Sequence, residues 1–138
     1  MVDALLKSDI VAQLNKAKSH LEYSYKKVQK ISLKESMPET ELESLDSFAS
    51  RFARYSDILI MKYFRMLAFE KDPAFRGSVI DLLNTAEKFN WIDSATIWRR
   101  IRQLRNVAAH DYTNSEYIKL YGELIQLTPQ LLNVSLDL

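Results

Sequence analysis

Arg105-Asn106-Val107-Ala108-Ala109-His110-Asp111-Tyr112 sets an arginine, four spacers, a histidine, one spacer and a tyrosine at the end of a strongly helical stretch. His110 is one of two histidines in 138 residues, and Arg99, Arg100, Arg102 and Arg105 precede it on the same predicted helix. A group that exchanges protons near pH 7 is thereby set beside permanent positive charge. That pairing suits the handling of a phosphodiester, so the chemistry it points to is that of RNA or of a nucleotide-handling partner.

The helix that carries these residues starts at a cap on Asp93 or Ser94. On a wheel of about 100° per residue, Ile97, Ile101, Leu104 and Ala108 cluster on one side and face the core. Arg99, Arg102, Asn106 and His110 fall opposite, with Arg105 on the flank. Arg102, Asn106 and His110 are spaced by four and stack one above another. They are expected to face solvent or a second molecule.

The remaining elements are also helical. Ile10, Leu14, Ala17, Leu21, Val28 and Ile31 mark the inner stripe of a first helix over about residues 9–32. Thr40 to Glu43 has the form of a capping box that starts a second helix, which Asp72-Pro73 stops near Lys71. Leu45, Phe48, Phe52, Tyr55, Leu59, Tyr63 and Met66 form its principal stripe, and Ala49, Ala53, Ile60, Phe64 and Leu67 widen it, so this helix is predicted to be central. Ser47, Arg51, Arg54, Ile58, Met61 and Arg65 lie on its remaining face, where Ile58 and Met61 suggest a further contact. A third helix opens at Gly77 and Ser78 with Val79, Leu82, Leu83, Ala86 and Phe89 inward. A fifth starts at Asn114 or Ser115, with Ile118, Tyr121, Leu124, Ile125, Leu131 and Leu132 as its stripe, and Pro129 is expected to kink or break it. His20 reads as a surface residue.

Composition agrees with one all-α domain over residues 1–138, an up-and-down bundle of four to five helices. Two glycines and three prolines are too few for the turns of a β-sandwich or barrel, and 47% apolar residues are enough for a real core. The net charge of +1 excludes a general polyanion binder, so contact with RNA must use a local patch or a surface assembled from two subunits. With no cysteine, disulfides and thiolate metal sites are ruled out. No metal site and no cofactor are expected, since no ligand spacing or glycine-rich phosphate loop is present. Met1 leads into Asp3 without a signal pattern, and no apolar run reaches the length of a membrane span, so the expectation is a cytoplasmic protein with no membrane contact.

Through its length, helix order and the matches at Arg105, Asn106, His110 and Tyr112, the chain resembles HEPN domains. The likeness is to the small HepT-like proteins and the related substrate-binding proteins of nucleotidyltransferases. The resemblance implies a helical bundle that forms a homodimer, and a metal-independent endoribonuclease toxin paired with a minimal nucleotidyltransferase antitoxin. Arg105 and His110 would be the catalytic pair of a composite cleft between two copies. Cleavage without a metal requires removal of the 2′-hydroxyl proton and stabilisation of a doubly negative phosphorane. His110 is suited to the proton and Arg105 to the phosphate oxygens. The implied product end is a 2′,3′-cyclic phosphate. Asn106 would hold the phosphate or orient the histidine, while Arg102 and Arg99 extend the anionic track. Arg51 and Arg54 either line the cleft or are ordinary surface charges. Tyr112 either closes the end of its helix or is the acceptor that the partner AMPylates. The other function open to such a chain is a non-catalytic subunit that presents substrate or nucleotide to a nucleotidyltransferase.

Overall fold

The computed structural model describes residues 3–105 and 114–136. They form an all-α bundle, with no strand among the described residues. In chain order the elements are α1 (Ala4–Val28), α2 (Glu39–Ile58), a π-helical turn (Leu59–Phe64), α3 (Arg65–Lys71), α4 (Val79–Lys88), α5 (Ala95–Leu104) and α6 (Asn114–Leu132). The segment from Glu39 to Lys71 is one continuous rod with the π turn inside it. It packs against α1, α4 and α6, and α5 lies between α4 and α6. The rod is thus the central element that its apolar composition predicts.

The π turn follows from the burial pattern. Phe52, Ser56, Ile60, Phe64 and Ala68 are all buried and spaced by four. In an α-helix each four-residue step advances the face by about 40°, so four such steps would rotate it by about 160°. The wider π turn removes part of that drift and keeps the five residues on the core side. Phe64, its last residue, meets Trp98 of α5 edge-on at 5.5 Å between ring centroids and stacks on Trp91 at 6.1 Å. Trp98 is among the largest fully buried side chains, so the π turn and α5 are locked together by aromatic packing.

Local signals set the helix ends, in part differently from the sequence expectation. The Asp3 side chain accepts from the Leu5 amide at 2.9 Å, so α1 begins at Ala4, ahead of the expected residue 9. The expected capping box at Thr40–Glu43 does not form. Pro38 is the N-cap, with extended backbone and no side-chain cap, and α2 begins at Glu39, so Thr40 lies inside the first turn and not at the cap position. A true capping box occurs at Ser78 and Asp81, whose side chain accepts from the Ser78 amide at 2.8 Å. Gly77 is needed there, since a Cβ would lie 2.6 Å from that of Asp81. The Ser78 hydrogen bonds, from its backbone and then its side chain, hold the Asp81 carboxyl below its ordinary range. Asn90 makes the α4–α5 turn at φ 61°, a left-handed conformation that asparagine tolerates. Ser94, not Asp93, caps α5.

Two further expectations change. The last helix runs through Pro129 to Leu132 without a break. Just before the proline, the buried Thr128 hydroxyl donates to the Leu124 carbonyl at 2.7 Å. Phe89 does not point inward. Its ring is exposed, stacks on Trp91, and carries the Lys71 ammonium 5.0 Å from its centroid. Among the described residues, no helix is long and apolar enough to cross a membrane.

Candidate functional site

Three side chains from two helices meet where α5 ends. Arg102 lies in the last turn of α5 and Arg105 caps it, with the Arg105 amide donating to the Ile101 carbonyl at 3.2 Å. Both side chains reach Asp57, near the end of α2 and two residues before the π turn. Arg102 Nη1 donates to Asp57 Oδ1 at 2.8 Å. Arg105 grips the same carboxylate with two nitrogens, Nη2 to Oδ2 at 2.6 Å and Nε to Oδ1. This is the planar fork-on-carboxylate geometry that only arginine supplies. All three side chains are about two-thirds withdrawn from solvent. The Asp57 hydrogen bond pushes the Arg105 guanidinium further above its already high value, so its charge is permanent.

The helix phases explain the convergence. Ala95, Trp98, Ile101 and Leu104 bury one side of α5, and Ile97 packs at the edge of the core. Trp98 thus extends the apolar face beyond the four positions that periodicity marks. With that face fixed against the π turn, Arg102 and Arg105 swing toward α2. They do not face only solvent or a second molecule, as their wheel positions predict; the carboxylate of Asp57 on α2 takes them.

The other predicted site residues divide. Arg99 is exposed, and its guanidinium lies 3.5 Å from the Thr96 hydroxyl of its own helix. Arg100 turns the other way and pairs with Glu123 of α6 through two bonds of 2.6 Å each. Arg51 donates to the Ser24 hydroxyl at 2.8 Å and to the His20 carbonyl at 3.2 Å, which ties α2 to α1. Arg54 is exposed and lines a groove with Lys16, His20 and Ile58. Arg51 and Arg54 therefore face α1, while Arg102 and Arg105 lie toward α5. Asn106, His110 and Tyr112 lie outside the described residues.

Asp57 is the residue that sequence reasoning missed. A signal was present: it is the one carboxylate between Asp46 and Glu70, in a stretch that carries four arginines and lysines. Among the described residues, no cluster of three or more metal-ligating side chains occurs. Comparison with family models, curated proteins and solved structures found no match to this chain.

Proposed function

We propose that this chain is a metal-independent endoribonuclease toxin of the HEPN type, acting as a homodimer in the cytoplasm beside a nucleotidyltransferase antitoxin. The supporting observation is the clasp of Arg102 and Arg105 on Asp57. It fixes the direction of the Arg105 guanidinium at the point where the chain leads on to Asn106 and His110. A guanidinium held in place before substrate arrives loses little freedom on binding a phosphate, and such preorganisation is the main source of electrostatic catalysis.

In this mechanism His110 removes the proton from the ribose 2′-hydroxyl. The 2′-oxygen attacks phosphorus, the bond to the 5′-oxygen breaks, and that oxygen leaves with a proton from His110 of the second copy. The products are a 2′,3′-cyclic phosphate and a 5′-hydroxyl, with no change of oxidation state. Arg105 stabilises the phosphorane, Asn106 and Arg102 hold the flanking phosphate, and Arg99 extends the track. Exposed Met61 and half-buried Ile58 supply apolar contacts between copies. Tyr112 is the acceptor that the antitoxin would AMPylate, placing bulk and negative charge in the RNA path.

One observation favours a second reading, a non-catalytic subunit that presents nucleotide or substrate to the nucleotidyltransferase. The Nε and Nη2 positions of Arg105, one of the two edges with which a guanidinium can grip a phosphate, are bonded to Asp57. The test is cleavage of RNA in EDTA. The nuclease gives cyclic phosphate ends and loses activity in both Arg105→Ala and His110→Ala. Tight partner or nucleotide binding without cleavage assigns the second role.

A further inference from the structure

A second cationic surface lies on α1, apart from the α5 site. Lys16, His20, Tyr23 and Lys27 recur at four- and three-residue steps, which places them within about 30° of a common line along the helix, and Lys30 follows in the turn just past its end at Val28. From Lys16 to Lys27 the helical part of the strip is about 17 Å long at 1.5 Å per residue, and Lys30 extends it. The lysines are exposed, and Tyr23, at 67% exposure, is a large aromatic residue left mostly in solvent.

The strip is built, not incidental. Arg51 reaches across from α2 and holds its guanidinium 5.9 Å from the Tyr23 ring centroid, while its bonds to Ser24 and the His20 carbonyl fix it in place. The ring is therefore supported from beneath by an anchored cation and still open. Two hollows lie along the strip. One, of about 590 Å³, is lined by Tyr23 together with Lys26, Lys27 and Lys30, and Glu22 is the one carboxylate in its lining. The other, of about 220 Å³, is lined by Lys16, His20 and Arg54 with no carboxylate. In a chain of net charge +1 this concentration of cations is local.

Spaced cations along a track, with an exposed aromatic ring in the middle, match the chemistry of an unpaired nucleic acid strand. Phosphates lie along the lysines, and a base, which every nucleotide offers as a flat face, stacks on the ring. A duplex hides its bases and uses only the charges. An acidic protein segment likewise has no use for the ring. The geometry points to the α1 strip as a binding track for single-stranded nucleic acid, with Tyr23 as its stacking platform. This deepens the ribonuclease reading and rests on it for the choice of RNA, but binding is measurable without cleavage.

The test uses a labelled, unstructured 2′-O-methyl RNA 12-mer. It cannot be cut by 2′-hydroxyl attack, so anisotropy reports binding alone. Expected is a salt-sensitive complex that Tyr23→Ala weakens about fivefold or more and Tyr23→Phe leaves within about twofold. Lys27→Glu/Lys30→Glu should weaken it at least about tenfold and flatten the slope of log K against log salt by about 0.7 for each phosphate no longer neutralised. All these positions are exposed, and unchanged melting temperatures certify the fold. No binding by the wild type, Tyr23→Ala equal to wild type, or displacement by polyglutamate as effective as by unlabelled strand would each overturn the proposal. Cleavage in EDTA separates the two claims. Tyr23-dependent binding with no cleavage leaves the strip standing without the nuclease. Cleavage with Tyr23-independent binding leaves the nuclease without the strip.

Discussion

Helix α5 carries two arginine–carboxylate contacts on opposite sides, and they differ in kind. Toward α6, Arg100 and Glu123 form a one-to-one bidentate pair with the Arg100 side chain half exposed. Toward α2, Asp57 takes two arginines, and both of these are more withdrawn from water than Arg100. The first is a fastener between neighbouring helices of the sort that contributes little net stability. The second gathers two permanent cations at the helix end from which the Asn106–His110 segment continues. Charge count and position, not bond length, separate the two contacts: the Arg100 bonds are as short as that of Arg105 Nη2.

The contrast is broken most severely by removing what holds α5 in place. Trp98→Ala deletes a buried ring packed on Phe64 and should cost about 3–5 kcal/mol in chemical denaturation, loosening both pairings together. Asp57→Asn separates them. It should cost about 1.5–3 kcal/mol, since hydrogen bonds to charged partners disappear from a partly buried place. It should also reduce RNA cleavage in EDTA on the order of 10- to 100-fold, because Arg105 loses its direction. Glu123→Gln should cost no more than about 1 kcal/mol and leave cleavage within about twofold. An equal loss of cleavage in the two variants would remove the distinction between the two contacts.

Acid sharpens the same contrast. The Arg100 hydrogen bond lowers the Glu123 carboxyl below its ordinary 4.5. A group whose folded value is depressed stabilises the fold above the unfolded value, and that contribution disappears as pH falls through the folded one. The stability gap between wild type and Glu123→Gln should therefore be full at pH 7 and close as pH drops below about 4.5, as read by urea denaturation across pH. The smallest effect belongs to Tyr55. Its hydroxyl is buried with no hydrogen-bond partner among the described residues, and burial pushes its ionisation far up. Tyr55→Phe should be neutral or stabilising, within about 1 kcal/mol.

The core faces were legible in the sequence because burial repeats with helix geometry: Ile10, Leu14, Ala17, Leu21 and Val28 on α1, and Phe48, Phe52 and Tyr55 on α2, are buried as their spacing predicts. The π turn was not, since a wider turn is imposed by what Ile60 and Phe64 pack against and has no local signature. Nor was Asp57 as a partner of Arg102 and Arg105. The wheel shows which side of a helix is polar, but not which neighbour that side meets, and the α2–α5 approach depends on Trp98 seated on Phe64. The Thr40–Glu43 pattern failed for a different reason: α2 begins at Glu39, so Thr40 already lies within the first turn and cannot serve as its N-cap.

The ribonuclease assignment is tested most directly by incubating the purified full chain with end-labelled single-stranded RNA in excess EDTA and analysing the ends. The wild type should yield 2′,3′-cyclic phosphate termini, His110→Ala and Arg105→Ala none, and Asp57→Asn a reduced amount. Intact RNA with the wild type, or cleavage that persists in His110→Ala, would contradict it.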